Sequence, residues 1–125
     1  MSQNAYLNAA GHDALLDGTF APDKVSLHSG APGAAGDENV VKSAVAATFA
    51  ASGDNGDGRR RRALSATVNI TGATATADVV NVGIWADTTY YGYILRTGGD
   101  AATNAAGEYD LTTDTKIIIG NKPAA

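Results

Sequence analysis

Apolar and polar side chains alternate over much of the chain after residue 20, which predicts short β-strands. Segment 24–28 reads Lys-Val-Ser-Leu-His, the pattern of a strand with one buried face. Segment 40–51 has enough alanine for a helix, but its β-branched residues and glycine-rich flanks favour a strand. Segment 59–71 predicts a third strand, with alternating apolar positions at Leu64, Ala66, Val68 and Ile70.

The best-defined pattern is a β-hairpin, in which strands at 79–86 and 90–96 flank a turn at Asp87-Thr88-Thr89. One or two closing strands are expected within 108–120. Polar loops rich in glycine or aspartate separate these strands at 29–39, 52–58 and 97–107. Six or seven short strands with such loops predict a mostly β fold, an antiparallel β-sandwich or flattened barrel.

The N-terminal segment has a different period. Within 2–17, Tyr6, Ala9, Ala10 and Leu16 fall at helical spacing. Ser2 can cap the first turn, and Gly18 stands where a left-handed residue would end a helix. We therefore expect one domain over 1–125, with a short helix in 1–18 and a β-sandwich in 24–120.

Composition suggests a thin core. The chain has 125 residues, of which 25 are alanine, 13 threonine and 15 glycine, and only 6% are aromatic. Because buried apolar area stabilises by roughly 25 cal/mol per Å², alanine contributes far less than leucine or phenylalanine. We expect self-association, or binding to a larger scaffold, to supply the missing burial.

Charge and cysteine content exclude several classes of protein. The net charge is −4, whereas nucleic-acid binders usually present basic surfaces to phosphates. The absence of cysteine excludes disulfides, thiolate zinc sites and cysteine catalysis. No apolar run is long enough to span a bilayer, and the first residues do not resemble a signal peptide. We therefore expect neither nucleic acid nor membrane as a partner.

The sequence contains few candidates for catalytic, metal-binding or phosphate-binding residues. The two histidines, His12 and His28, are interpreted as surface or loop residues, since neither belongs to a ligand set or nucleophile elbow. The turn at 54–58 faintly resembles a calcium loop but lacks its ligand spacing and closing glutamate. The glycine-rich loops match no phosphate-binding pattern. We therefore expect no enzyme activity, catalytic residue, cofactor or metal.

One basic run is a candidate interface. Arg59, Arg60, Arg61 and Arg62 make up four of the nine basic residues and follow an acidic turn. Arginine binds carboxylates through two parallel hydrogen bonds, so the run could dock on an acidic protein surface. The alternative is an exposed strand start, with one arginine pair in solvent at the strand's edge, where the charge only discourages sheet-to-sheet pairing. Strand alternation would point Arg59 and Arg61 to one side.

Aromatic residues form the second candidate interface. Trp85, Tyr90, Tyr91 and Tyr93 cluster in the hairpin, where alternation places Tyr91 and Tyr93 opposite Tyr90. We expect Trp85 in the core. Tyr90 and Tyr91, where exposed, suit a protein interface or a sugar surface.

Two segments resemble a known family. Residues 27–33 read LHSGAPG and residues 81–87 read NVGIWAD. They are similar to LHTGDPG and THFGLWDAA patterns in small virion proteins of tailed bacteriophages, of the tail-fibre, minor tail or decoration type. The resemblance implies a non-enzymatic particle protein, assembled in the bacterial cytoplasm, whose partners are itself and the major capsid or tail proteins.

Within that resemblance, a capsid decoration protein is preferred because the chain has neither shaft repeats nor heptads. A tail-fibre or tail-tip protein is one alternative. A carbohydrate-binding module for host adsorption is the other.

Overall fold

The computed structural model describes residues 18, 21–57 and 59–119, and this part of the chain is mostly β-structure. Its strands are β1 Lys24–His28, β2 Val40–Ala46, β3 Gly53–Asp54, β4 Arg60–Ala63, β5 Val68–Ile70, β6 Asn81–Ala86, β7 Thr89–Leu95, β8 Tyr109–Leu111 and β9 Lys116–Ile119. No α-helix occurs in these residues, and the helix predicted for 2–17 lies outside them.

The strands form three antiparallel sheets. Their orders are β2-β1-β6-β7, β3-β4-β9 and β5-β8. The mostly β, antiparallel prediction is therefore confirmed. None of these sheets closes on itself, so the flattened-barrel alternative is wrong.

Two predicted strands are shorter than expected because the chain changes sheets. The segment 59–71 divides into β4 and β5, which belong to different sheets. Between them, Ser65 leaves the ladder and its N–H donates to the carbonyl of Thr48 at 2.9 Å. The strand predicted for 40–51 ends at Ala46, and only an isolated bridge between Phe49 and Leu64 follows. The alternating pattern could not reveal these breaks, because Phe49 and Leu64 would be buried both in a continuous strand and in the broken strands observed.

Among the residues that the structure describes, one cluster of buried apolar side chains joins the sheets. One face of β1 and β6 supplies Val25, Leu27, Val82 and Ile84, and β5 and β8 supply further buried apolar residues. Ile117 of β9 packs against the same cluster. The predicted placement of Trp85 in this core is wrong. It is half-buried on the opposite face of β6, because it alternates with the core residue Ile84.

Candidate functional site

A compact turn precedes the arginine run and is held together by hydrogen bonds to its own aspartate side chains. Asp54 Oδ1 accepts from the N–H of Gly56 at 3.0 Å, and Asp57 Oδ1 accepts from the N–H of Arg59 at 3.1 Å. The N–H of Asn55 donates to the carbonyl of Arg59 at 2.9 Å. These local bonds are typical of aspartate in turns.

The Arg59 side chain binds the carboxylate of Asp57 in this turn. Its Nε donates to Asp57 Oδ2 at 2.8 Å, and its Nη2 lies 2.5 Å from the same oxygen. The hydrogen bond from Arg59, helped by another from Asn55, holds the pKa of Asp57 well below its usual range. The same contact raises the pKa of Arg59. With the Asp57 carboxylate already bound by a guanidinium, the turn is not arranged as a calcium site.

The other three arginines form most of β4, the middle strand of its sheet. All three are half-buried, and because β4 lies between β3 and β9 the edge-strand alternative is wrong. Arg61 lies opposite Gly53 and Ile118, while Arg62 donates from Nε to the carbonyl of Ala50 at 3.0 Å. Since β4 begins at Arg60, strand alternation does not extend to Arg59.

The candidate Tyr90 lies against Trp85 and a loop. The two ring centroids are 5.1 Å apart with the planes tilted by 56°. Gly36 covers the Tyr90 ring so closely that a Cβ at Gly36 would lie 2.5 Å from ring atom Cδ1. Tyr90 is therefore an internal contact between the hairpin and the loop 29–39.

A β-bulge changes the predicted sides of the other tyrosines. Ile84 pairs with Gly92 and Trp85 with Tyr90, so Tyr91 is the additional residue. Tyr93 pairs with Gly83, which lies on the same side of β6 as Trp85. Tyr90 and Tyr93 therefore share a side, contrary to the prediction. Consistent with this proximity, burial and the neighbouring Tyr93 raise the pKa of Tyr90.

Beneath these rings lies a buried polar network. Trp85 Nε1 donates to Ser26 Oγ at 2.8 Å, and Ser26 Oγ lies 2.6 Å from His28 Nε2. His28 Nδ1 lies 2.8 Å from the carbonyl oxygen of Glu38. His28 is fully buried, so its interpretation as a surface or loop residue is wrong. The other histidine, His12, lies outside the described residues.

This network was missed in the sequence, although Ser26 and His28 stand at the two-residue spacing that places side chains on one strand face. Glycine at position 83 makes it possible. A Cβ there would collide with Ser26 Oγ and would lie 3.1 Å from His28 Nε2. Further along β6, Asn81 Nδ2 donates to the carbonyl of Gly30 at 3.0 Å.

The network therefore joins the two segments that carry the family resemblance. Residues 27–33 supply the end of β1 and the loop after it, and residues 81–87 supply β6 and the start of the turn. Their strands pair from Lys24 with Trp85 to His28 with Asn81. In this chain, both segments hold one structural unit together.

The predicted site residues fall into two groups. Arg60, Arg61 and Arg62 lie on β4, whereas Tyr90 and Tyr91 lie on β7 of another sheet. Strand β9 lies between the groups: Ile117 pairs with Arg62 and lines a shallow concavity with Tyr91. The described residues hold no group of three or more acidic or histidine side chains suited to a metal. The same part of the chain contains no helix long and apolar enough to cross a membrane.

Comparisons with known proteins give no relative for this chain. No family model, no curated protein and no solved structure matches it.

Proposed function

We propose that the protein is a non-enzymatic structural protein of a bacteriophage particle, displayed on its surface as a capsid decoration protein. The observation that carries this proposal is the union of the two resembling segments in one buried unit. Ser26 and His28 are 1% and 0% exposed, and Trp85 caps the serine oxygen. A Ser-His pair enclosed in this way holds a loop onto a sheet and offers no path for a substrate.

The docking surface proposed for the particle is the arginine strand β4. Arg60, Arg61 and Arg62 concentrate positive charge on a chain of net charge −4, and Lys116 of β9 lies opposite Ala63. Guanidinium groups on a rigid central strand suit carboxylates on a partner surface. The partner proposed here is the major capsid protein. A tail protein with an acidic surface is the alternative, which would make the chain a tail-fibre or tail-tip component.

Glycan binding is the weaker proposal. Aromatic sugar platforms need an open ring face, and the Tyr90 ring packs on Trp85 and under Gly36. Tyr91 remains 48% exposed. Of the two candidate tyrosines, only Tyr91 therefore offers an exposed ring to a sugar, and we favour binding to another protein over binding to a glycan.

A particle-binding experiment tests the proposal. Phage particles depleted of the protein are mixed with purified wild type or with the variant Arg60→Ser/Arg61→Ser/Arg62→Ser, and bound copies are located by electron microscopy. Arg59 is retained because it closes the turn. Lys42→Ser, in the other large sheet, is the matched control for loss of charge.

We expect wild type and Lys42→Ser to decorate the capsid, with the triple variant bound several-fold less. Raising the salt concentration should weaken wild-type binding, because salt screens the attraction between charges that water still reaches over about 10 Å at 0.1 M. Binding at the tail would support the tail alternative. Failure of the wild-type protein to bind any particle, or saturable binding to a glycan array that Tyr91→Ala abolishes, would overturn the proposal.

A further inference from the structure

The turn at 54–57 contains a peptide bond with a reactivity of its own. Asn55 is the only asparagine in the sequence that glycine follows, whereas alanine, valine, isoleucine or lysine follows the others. The backbone nitrogen after an asparagine can attack the side-chain amide carbon and close a cyclic imide. A Cβ on the following residue hinders this approach, and glycine has none. The sequence therefore makes the Asn55–Gly56 bond the one most open to this reaction.

The structure leaves room for the reaction on the glycine side. Gly56 is exposed, and a Cβ built on it would meet nothing within 4 Å. Its φ of +89° lies in the left-handed region, which glycine adopts without strain and other residues rarely enter. Water can therefore reach this peptide bond, and a small leaving group can diffuse away from it.

Hydrogen bonds engage both reacting groups while the turn is closed. The Gly56 N–H, which carries the attacking nitrogen, donates to Asp54 Oδ1 at 3.0 Å. The Asn55 amide, which would lose ammonia, donates from Nδ2 to Asp57 Oδ1 at 3.0 Å. Asp57 is fixed in turn by Arg59, whose Nε donates to Oδ2 at 2.8 Å. The attack therefore requires the turn to open.

The closed turn satisfies Asn55 only in part. Its backbone N–H donates to the carbonyl of Arg59 at 2.9 Å. Its side-chain oxygen Oδ1 is buried and has no hydrogen-bond partner among the described residues. A buried polar atom without a partner costs free energy, which contact with water recovers. Local opening is therefore favoured relative to a turn in which every polar atom is bonded.

We propose that Asn55 is a site of spontaneous modification, and that the contact between Arg59 and Asp57 sets its rate by holding the turn closed. When the turn opens, the Gly56 nitrogen forms a bond to Asn55 Cγ. The proton of that nitrogen passes through water to Nδ2, the Cγ–Nδ2 bond breaks, and ammonia leaves. A water molecule then cleaves the cyclic imide at either carbonyl, which leaves aspartate or isoaspartate at position 55. Arg59 acts only through Asp57 and is a positioning residue.

The product changes the turn. A carboxylate takes the place of the Nδ2 donor and faces Asp57, so an attraction becomes a repulsion. Isoaspartate also adds a methylene group to the backbone within the turn. Either product makes the chain one charge more negative next to the paired strands β3 and β4. This inference goes beyond the proposed function and does not depend on it.

Incubation of the folded protein at mildly alkaline pH tests the proposal, with peptide mapping by mass spectrometry to locate aspartate and isoaspartate. We expect slow conversion of Asn55. The internal controls are Asn69 and Asn104, which isoleucine and alanine follow. Both should stay intact over the same period.

Variants at Arg59 test the control of the rate. Arg59→Ser should convert Asn55 several-fold faster than wild type, because the turn is open more often. Arg61→Ser removes the same charge from the adjoining strand and should convert at the wild-type rate. Arg59→Lys keeps a cation that can reach Asp57, so its rate should fall between those of wild type and Arg59→Ser.

The same incubation in concentrated guanidinium chloride separates the site from its control. In the unfolded chains, wild type and Arg59→Ser should convert Asn55 equally fast, and faster than folded wild type. An Asn55 that stays intact even when unfolded would overturn the modification site. If folded Arg59→Ser reacts no faster than folded wild type, or folded wild type reacts as fast as the unfolded chain, the control by Arg59 is overturned.

Discussion

The Nε2 atom of His28 lies 2.6 Å from the Oγ atom of Ser26, two residues earlier on the same strand. This pair completes a directional chain. The carbonyl of Glu38 can only accept, so His28 Nδ1 carries a proton and Nε2 accepts from Ser26. Ser26 Oγ in turn accepts from Trp85 Nε1. Every member is satisfied while the imidazole is neutral.

Stability should therefore fall in mild acid. Burial lowers the pKa of His28 from its ordinary 6.5, against a smaller raising effect of the bond to the Glu38 carbonyl. Between pH 6.5 and that lower folded pKa, the unfolded chain binds the additional proton, so the stabilisation present above pH 6.5 is lost as the pH falls. Urea unfolding at pH 5.0 to 7.5 should show this loss, at up to about 1.4 kcal/mol per pH unit.

His28→Gln is the matched variant for that experiment, because it removes the titrating group and leaves His12 in place. The variant should be less stable at pH 7.5, and its stability should vary less between pH 5.0 and 7.5. If wild type and His28→Gln lose stability in parallel across this range, His28 does not control the acid response.

Gly83→Ala should destabilise the protein by about 1–3 kcal/mol, the usual cost of inserting a methyl group into a packed site. The added Cβ would collide with Ser26 Oγ. Gly53→Ala is the control, since a Cβ at Gly53 meets nothing within 4 Å. Equal denaturation midpoints for the two variants would show that the space around Gly83 is larger than described.

Trp85→Phe should cost about 1 kcal/mol, because it keeps a ring beside Tyr90 but removes the hydrogen bond to Ser26 Oγ. In the Ser26→Ala background, the same substitution should cost less, since the acceptor is already absent. A double-mutant cycle measures this coupling. A coupling energy of zero would argue against the bond between these side chains.

Arg59→Ser should loosen the turn at 54–57 without unfolding the domain. Hydrogen exchange of the Asn55 and Gly56 amides should become faster, because the Arg59–Asp57 contact closes this turn. Arg61→Ser, on the adjoining strand, is the control and should leave these amides unchanged. Unchanged exchange in Arg59→Ser would show that backbone bonds alone hold the turn.

Local pattern predicted most of the strands, but long-range pairing decided the rest. The alternation in 24–28 and the hairpin around Asp87 are local features, and the structure confirms both. The division of 59–71 between two sheets depends on partners far along the chain, as does the burial of His28 under the loop 29–39. The sequence of a strand does not show whether a loop covers the face that carries its polar residues.

The candidate site shows the same limit. Strand alternation predicted that Tyr90 and Tyr93 lie on opposite sides of β7, which would hold for a regular strand. The bulge adds one residue at Tyr91, so the two tyrosines lie on the same side. The arginine run was evident from sequence alone. Its position on a central strand follows from pairing with β9, which lies more than 50 residues away.

The pairing of β1 with β6 also constrains how the chain acquires its structure. Lys24 pairs with Trp85, about 60 residues later, so β1, which carries His28, and β6 are among the paired strands most distant in sequence. Closing a loop of that length opposes folding before any contact compensates for it, and non-local β pairing places folding in the millisecond-to-second range. During synthesis, β1 must remain unpaired with β6 until two thirds of the chain has been made. The lone tryptophan would then report, through its fluorescence, the moment at which the two distant segments meet.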